Sequence, residues 1–255
     1  MMGKARGRTR TGKRRGVGRS TSDGSRQFNA EAAYAESIVR SALGDGEGCI
    51  AALEHSLKML PTYAPAILSM GSVEYQRGRH ARGRRLFLSL LDQPARTPDL
   101  CEILDEAGDF LIQRGAYADG LELYRRSAAR FPRVAVFHQG LGCCAGHEGL
   151  HDEAVAASRA ALALEPKNQK FVNDLGWSLY QAGSMDEARA VLERAVAMDP
   201  ANELAAENLR ICSSDPKAPG LPIVVRRRRG AGERRRARTE RAAAAQGEFA
   251  FAGGR

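Results

Sequence analysis

Two short motifs contain residue types that could perform catalysis or bind phosphate. His147, Glu148 and His151 match the H-E-x-x-H pattern, in which two histidines on one continuous helix bind zinc and the glutamate acts as the base. Residues 7–13 (GRTRTGK) approach a phosphate-binding loop. However, Arg14 stands where a Ser or Thr would hold Mg²⁺, and no apolar strand precedes the segment. Whether the histidine motif can work depends on the helix that would carry it.

The cysteines are a third candidate for chemistry. Cys143 and Cys144 are adjacent, and the remaining three are far apart: Cys49, Cys101 and Cys212. Because no C-x-x-C pair exists, zinc-ribbon and thioredoxin-like sites are excluded. The vicinal pair could form a redox or metal site, but we favour packing, since cysteine often behaves as a small buried apolar residue. With no apolar signal segment and no bilayer-spanning run, the sequence predicts reduced thiols in a cytoplasmic protein.

The elements that must position these residues repeat along the chain. Glycines recur at Gly44, Gly78, Gly115, Gly149 and Gly183, and prolines at Pro61, Pro132, Pro166 and Pro200. Both series advance in steps of 34 residues, apart from one three-residue insertion near 93–98. Each period predicts one helix that leads to the glycine and a second amphipathic helix that ends at the proline. Gly149 is then a turn glycine, so His147 and His151 fall on opposite sides of a helix break and we predict no zinc site.

The repeated pattern resembles the tetratricopeptide repeat family, which requires small residues at positions 8 and 20 of each repeat. Position 8 holds Ser37, Gly71, Gly108, Gly142 and Gly176. The resemblance covers the repeats 30–63, 64–100, 101–134, 135–168 and 169–202. It implies an all-α, right-handed α-solenoid of about five helix-turn-helix repeats, with a C-terminal capping helix at 203–212. In the first repeat Glu36 and Arg40 replace expected apolar residues, which fits a solvent-facing end.

The resemblance also implies a binding surface, because the first helices of successive repeats line a concave groove that usually holds peptides. The expected groove residues are Glu102, Asp105, Asp109, Gln113, Gln139, Cys143, His147, Lys170, Asn173, Trp177, Tyr180 and Gln181. Trp177 and Tyr180 are either recognition anchors or residues that merely pack between the fourth and fifth hairpins. Glu102 and Glu106 stand where a clamp for a terminal carboxylate would need cations, so the groove favours basic or neutral peptides.

The net charge of +9 is distributed unevenly. Residues 1–26 and 217–255 each carry +8, whereas residues 27–216 carry −7. The sequence therefore predicts a disordered basic tail (1–27), a solenoid (28–213) and a disordered Arg-rich tail (214–255). The arginines expected to bind polyanions are Arg226, Arg227, Arg228, Arg229, Arg234, Arg235 and Arg236. A further basic cluster comprises Arg77, Arg79, His80, Arg82, Arg84 and Arg85.

Taken together, the sequence predicts a non-enzymatic adaptor or scaffold that needs no cofactor. Its partner would be a protein or peptide held in the groove, and the tails would add attraction to polyanions. The alternative is a nucleic-acid-associated protein whose Arg-rich tails bind the DNA or RNA backbone while the solenoid positions them. Because the tails are basic, a third interpretation has them occupying the acidic groove of their own chain.

Overall fold

Helices form every regular element of the described chain. The computed structural model describes residues 17–214, with side chains from residue 24 onward. In that range α-helices and one short 3₁₀ helix (Leu90–Asp92) follow one another without a strand. The α-helices are α1 Val17–Ala42, α2 Gly46–Met59, α3 Ala64–Gln76, α4 His80–Ser89, α5 Leu100–Gln113, α6 Tyr117–Arg130, α7 Ala135–His147, α8 His151–Leu164, α9 Gln169–Gln181, α10 Met185–Met198 and α11 Glu203–Ser214. The predicted all-α fold class is confirmed.

The turn inside each helix pair is built around a glycine in the left-handed conformation. Gly149, between α7 and α8, has φ +75°, a region that residues with a Cβ rarely adopt. The N–H of Leu150 donates to the Ala145 carbonyl at 2.8 Å, and the N–H of Gly149 donates to the Gly146 carbonyl at 3.2 Å. This bond pattern is a Schellman cap. The other turn glycines, with φ between +70° and +79°, are Gly44, Gly78, Gly115 and Gly183.

Two compact units divide the chain, and their boundary falls inside α4, between Leu86 and Phe87. The N-terminal unit contains α1, α2, α3 and the start of α4. The C-terminal unit contains the end of α4 and all later helices, α5 to α11. The predicted groove residues all belong to the C-terminal unit.

A small apolar core joins the first helices of the N-terminal unit. Its buried members are Cys49, Leu53, Ala66 and Met70. The Ser56 hydroxyl donates to the Ala30 carbonyl at 2.8 Å, which ties α2 to α1. Away from this core, Arg40 pairs with Glu36 at 2.7 Å and with Asp45 at 2.8 Å. The polar residues of the first repeat therefore form a surface ion-pair network, as the sequence predicts for a solvent-facing end.

In the C-terminal unit, glycines allow the two helices of a pair to approach closely. A Cβ on Gly176 would lie 2.6 Å from Leu192 Cγ, and a Cβ on Gly108 would lie 2.2 Å from Tyr124 Cζ. Both distances are far below a van der Waals contact, so larger residues at these positions would separate the helices. The small residues at position 8 thus have the packing role that the sequence predicts.

The insertion near residues 93–98 lies in the connection between α4 and α5. After the 3₁₀ helix, Gln93 is buried and the chain reaches Asp99 in a left-handed conformation, with φ +55°. The Arg130 guanidinium at the end of α6 donates to the carbonyls of Leu91 and Gln93. A cation from the following helix pair thus satisfies carbonyls of the inserted segment, which could not all be paired within a helix.

The ends of the described chain differ in part from the sequence prediction. Helix α1 begins at Val17, inside the segment 1–27 that the sequence predicts as a disordered tail. No proline lies between Val17 and Ala30 to stop the helix, and each glycine there costs only about 1 kcal/mol. Helix α11 lies where the sequence predicts a final helix. The predicted polyanion-binding arginines, 226–229 and 234–236, lie outside the described residues, as do 1–16. Within 17–214 no helix is both long and apolar enough to cross a membrane.

Candidate partner-binding surface

The first helices of three successive pairs lie side by side in the C-terminal unit. Helix α7 contacts both α5 and α9, its counterparts in the neighbouring pairs. All the predicted groove residues lie on these three helices. The repeat pattern therefore brings together side chains that are about 34 residues apart in sequence, and the order along the surface is α5, α7, α9.

The α5 part of this surface is acidic. Helix α5 carries four carboxylates and neither Lys nor Arg between Leu100 and Gln113. Glu102 is exposed, and Asp105 and Asp109 are half-buried at spacings that place them on one face of the helix. Gln113 is exposed at the end of the same helix. A helix that carries several carboxylates and no Lys or Arg attracts cationic groups of a partner.

A buried tyrosine of α6, the second helix of the pair, contacts the acidic face of α5. The Tyr124 hydroxyl lies 3.2 Å from Asp105 Oδ1 and 3.5 Å from Asp109 Oδ1. Its ring occupies space that a Cβ on Gly108 or Gly140 would fill. Burial, and then the charges of Asp105 and Asp109, raise the pKa of Tyr124 well above its usual value. The phenol therefore stays protonated, and its single O–H can donate to Asp105 Oδ1, with Asp109 Oδ1 as a more distant alternative acceptor. The amino-acid sequence alone did not indicate this link.

Polar contacts connect the middle of the surface to its far side. Lys170 Nζ on α9 donates to Gln139 Oε1 on α7 at 3.0 Å, and both side chains are half-buried. Near the other end of these helices, the Gln181 carboxamide approaches the α7 backbone, since a Cβ on Gly146 would lie 2.8 Å from Gln181 Oε1. The predicted residues Gln139 and Lys170 are thus brought together by a direct hydrogen bond, whereas Gln181 lies near the other end of the same helices, against the α7 backbone.

His147 is the last residue of α7 and contacts an aromatic ring of the preceding helix pair. Its imidazole stacks on the Tyr117 ring, with centroids 3.7 Å apart and planes 4° from parallel. Burial lowers the pKa of His147, while the nearby Glu148 charge acts in the opposite direction. The ring is therefore neutral at pH 7 and serves the surface as a flat, partly apolar group. Tyr117 was not predicted from the sequence as part of this region.

Three of the predicted groove residues are not on an open surface. Asn173 and Trp177 are each 4% exposed, and Tyr180 is 1% exposed. Asn208 on α11 donates to the Asn173 side-chain oxygen at 3.0 Å, and the Trp177 and Tyr180 rings pack 5.2 Å apart. Around them lie buried residues of α8, α9, α10 and α11, namely Val155, Leu175, Leu179, Ala188, Leu192 and Cys212. The alternative in which Trp177 and Tyr180 pack between hairpins is therefore the one observed.

Comparison with known proteins identifies the repeat. The sequence model for the tetratricopeptide repeat matches residues 145–203. Among solved structures, YrrB, a tetratricopeptide protein with an unusual peptide-binding site, superposes with a TM-score of 0.53 at 17% identity, over 75% of this chain and 97% of YrrB. MamA from Desulfovibrio magneticus RS-1 superposes with a TM-score of 0.51 at 16% identity, over 69% of this chain and 97% of that one. No curated protein sequence matches.

Residues 145–203 of this chain match the tetratricopeptide repeat, and the chain has the fold of tetratricopeptide repeat proteins. The sequence match covers the end of α7 and helices α8, α9 and α10. For the earlier helix pairs, the likeness rests on the glycine spacing and on the common fold. At these identities the solved structures establish the fold alone.

The histidine motif lies at a turn between two helices. Helix α7 ends at His147 and α8 begins at His151, with Gly149 in the left-handed conformation between them. The two imidazoles therefore do not lie one turn apart on a continuous helix, which zinc binding by this motif requires. The predicted helix break is confirmed. Among residues 17–214 no cluster of three or more His, Cys, Asp or Glu side chains is arranged to bind a metal.

The basic cluster lies in the N-terminal unit, at the turn between α3 and α4. The buried Glu74 carboxylate pairs with two exposed arginines, Arg79 at 3.3 Å and Arg82 at 3.6 Å. Arg77 pairs with Glu47 at 3.0 Å, and the His80 ring stacks on Tyr75 at 4.5 Å. Arg82, Arg84 and Arg85 are all exposed on α4. Cations outnumber carboxylates here, so this turn is the most basic region that the structure describes.

Proposed function

We propose that this tetratricopeptide protein is a non-enzymatic adaptor that binds a peptide or protein partner across α5, α7 and α9. One observation carries the proposal: two of the α5 carboxylates, Asp105 and Asp109, contact the buried Tyr124 hydroxyl, which restricts their movement. A pre-positioned acidic face loses less side-chain freedom on binding than mobile surface acids would lose. The favoured partner is therefore a peptide rich in Lys or Arg.

The chemistry of the remaining surface fits an extended peptide rather than a small molecule. Beyond the α5 carboxylates, a partner would meet the neutral His147 ring and the amide of Gln139, whereas the side-chain oxygen of Gln181 is buried. Amide side chains pair with the backbone N–H and C=O groups of an extended peptide. YrrB, which shares the fold, has a peptide-binding site, so the architecture is compatible with this use. Trp177, Tyr180 and Asn173 support the surface from inside and do not belong to it.

The cysteines are consistent with a binding protein in a reducing compartment. We propose that this compartment is the cytoplasm. All five cysteines are free thiols in the structure. Burial raises the pKa of the Cys144 thiol, so it remains protonated and unreactive at neutral pH. Neither this thiol nor the His147 ring is activated for catalysis, which supports the assignment of a non-enzymatic role.

Peptide binding tests the proposed surface directly. Fluorescence anisotropy would measure the affinity of the full chain for two labelled peptides of equal length, one rich in Arg and one rich in Glu. We expect the Arg-rich peptide to bind and the Glu-rich peptide not to bind. Glu102→Gln should weaken binding by about threefold, the effect of losing one exposed ion pair. The matched control is Glu193→Gln on the exposed side of α10, which should leave the affinity unchanged. Equal loss in both variants would contradict the proposal.

Deleting residues 217–255 separates an external partner from the chain's own tail. If the basic tail occupies the surface, the truncated protein should bind the Arg-rich peptide more tightly than the full chain does. Equal affinity of the two forms would leave the surface open to an external partner alone. Loss of binding on truncation would show that the tail, and not the α5 face, recognises the probe.

A second function, binding of nucleic acid backbones, is favoured by two basic regions. The 217–255 segment has a net charge of +8. At the α3–α4 turn, two exposed arginines, Arg79 and Arg82, pair with the same buried carboxylate, that of Glu74. Anisotropy with a labelled DNA duplex tests this role, and affinity should fall steeply with salt, because bound phosphates release counterions. An affinity that does not change with added salt would exclude this role. Survival of binding after deletion of both basic ends, 1–16 and 217–255, would assign it to the α3–α4 turn.

A further inference from the structure

The three most exposed large apolar side chains of the described residues lie on one helix or directly at its end. Phe28 is 69% exposed and Val39 is 58% exposed, and both belong to α1. Leu43, which is 78% exposed, is the residue after α1, and its N–H still donates to the Val39 carbonyl at 3.1 Å. Elsewhere in residues 24–214 the highest value for a large apolar residue is 41%, at Leu150. Isolated exposed apolar residues are common in folded proteins, but several on one surface mark an interaction site.

These residues form a single stripe along α1. Ala32, which is exposed, and Ala35, which is half-buried, lie between Phe28 and Val39. The order Phe28, Ala32, Ala35, Val39, Leu43 advances by four, three, four and four residues, the spacing that keeps side chains on one helix face. We call this set the α1 stripe. The opposite face of α1 packs inward, where Ala30, Ala33 and Ser37 are buried.

Helix α1 also extends well beyond its partner in the hairpin. It has 26 residues, whereas α2 has 14. The bond between Ser56, near the end of α2, and Ala30, in the middle of α1, shows where the two helices stop running together. At 1.5 Å per residue, the portion of α1 before Ala30 adds about 20 Å of helix without α2 beside it. A helix of this length with an uncovered apolar stripe is suited to pairing with another helix.

We propose that the α1 stripe pairs with the α1 stripe of a second copy of this chain, in antiparallel orientation. Four of the five stripe residues are arranged symmetrically about the midpoint between Ala35 and Glu36, and Ala35 itself falls opposite Glu36 of the second copy. An antiparallel copy therefore places Phe28 opposite Leu43 and Ala32 opposite Val39, twice each. Closed homodimers require such self-complementary surfaces. The alanines at the centre allow the two helices to approach closely, and the large residues at both ends cover them.

The charges and the rest of the chain favour this occupant. Glu36 lies next to the proposed two-fold axis, and the ion pair with Arg40 at 2.7 Å within each chain reduces repulsion between copies. Residues 1–16 contain seven Lys or Arg and few apolar residues, so they do not match the stripe. The run Leu-Pro-Ile-Val-Val at 221–225 is apolar, but five extended residues span only about 17 Å. The distance along α1 from Phe28 to Leu43 is about 22 Å.

Sedimentation equilibrium of the full chain tests the proposal. Over about 5 to 200 µM, we expect a reversible monomer–dimer equilibrium of micromolar affinity, as is typical of a small interface. Val39→Glu and Leu43→Glu should each raise the dissociation constant by roughly tenfold or more, since they bury a charge in an apolar contact. Leu164→Glu, at a 38% exposed position of α8, is the control and should dimerise like the wild type. Circular dichroism checks that each variant is folded. A monomeric wild type, or equal dimerisation of Val39→Glu, would overturn the proposal.

Cross-linking tests whether the two α1 helices pair in antiparallel orientation and whether a second copy of the chain covers the α1 stripe. When Phe28→Cys chains are mixed with Leu43→Cys chains, oxidation should join the two variants, and mass spectrometry should identify the peptides that carry those positions. Links between two Leu43→Cys chains would indicate parallel pairing and contradict the proposed geometry. Dimerisation that appears only after residues 215–255 are deleted would show that the chain's own C-terminal segment covers the stripe.

Discussion

The Tyr124 hydroxyl lies 3.2 Å from the Asp105 carboxylate, so a core residue of α6 directly supports a surface residue of α5. The same hydroxyl lies 3.3 Å from the Asp105 carbonyl. Because these contacts cross from the second helix of the pair to the first, the acidic surface depends on how closely the two helices approach. The packing of the third helix pair and the chemistry of the proposed binding surface are therefore linked.

Removing only the hydroxyl should reveal that link. Tyr124→Phe keeps the ring in place but leaves the Asp105 and Asp109 carboxylates without their buried donor. We expect the free energy of unfolding to fall by about 1.5 to 3 kcal/mol, the usual effect of losing a hydrogen bond to a charged group. Urea denaturation measures this change. The affinity for an Arg-rich peptide should also fall, because the carboxylates become more mobile. Unchanged stability would mean that the hydroxyl makes no net contribution.

Gly→Ala substitutions should have opposite effects on stability at a closely packed glycine and at an exposed glycine. Gly108→Ala places a methyl group 2.2 Å from Tyr124 Cζ, and overpacking of this kind costs about 1 to 3 kcal/mol. Gly24→Ala, at an exposed position of α1 with no atom within 4 Å of the added carbon, should stabilise the protein by up to about 1 kcal/mol. Thermal unfolding measures both. In a Tyr124→Leu background the cost of Gly108→Ala should shrink, since the clashing ring is gone.

Glu74 is expected to stabilise the N-terminal unit through the two arginines that it pairs with. Glu74→Gln leaves a buried amide where Arg79 and Arg82 met a carboxylate, and we expect a loss of about 1 to 3 kcal/mol. Glu47 offers a matched control, because its side chain is 85% exposed and pairs with Arg77 at 3.0 Å. Glu47→Gln should change the free energy of unfolding by less than about 1 kcal/mol. An equal decrease in the free energy of unfolding for Glu74→Gln and Glu47→Gln would show that burial does not make the ion pairs of Glu74 more stabilising.

The stacked His147 ring should make stability depend on pH. Burial lowers the pKa of His147 in the folded chain, whereas the unfolded chain takes up this proton below about pH 6.5. The contribution to stability is thus fully present above about pH 6.5 and is lost as the pH falls from there through the folded pKa. His147→Phe should keep the stack and show a shallower loss of unfolding free energy between about pH 6.5 and 5. Identical slopes for the two proteins would contradict this assignment.

Tyr117→Leu provides a second check on the same ring. Without the Tyr117 ring at 3.7 Å, water reaches His147 and the folded pKa should move back toward its usual value. The pH dependence should therefore weaken although the histidine is still present. NMR titration of the His147 ring measures the shift directly, and an unchanged titration midpoint would show that the stack does not cause the burial effect.

Short-range rules explain why so much of the fold could be predicted from the sequence. A left-handed turn strongly favours glycine and a proline stops a helix, so Gly149 and Pro166 mark helix boundaries with no knowledge of the rest of the chain. The position of His147 and His151 on opposite sides of a turn follows from the same rule. The start of α1 at Val17 could not be predicted in this way, because glycines near the end of a helix weaken the helix without fixing the residue at which it begins.

The amino-acid sequence by itself determined the helix pairs, their turns and the order of α5, α7 and α9, because these depend on local backbone preferences repeated every 34 residues. Only the tertiary structure decided which side chains remain on the surface. Trp177 has the helical position of a groove residue, yet packing with Tyr180 and the covering helix α11 removes it from solvent. Exposure depends on neighbours distant in sequence, and for the same reason the uncovered stripe of α1 became visible only in the folded chain.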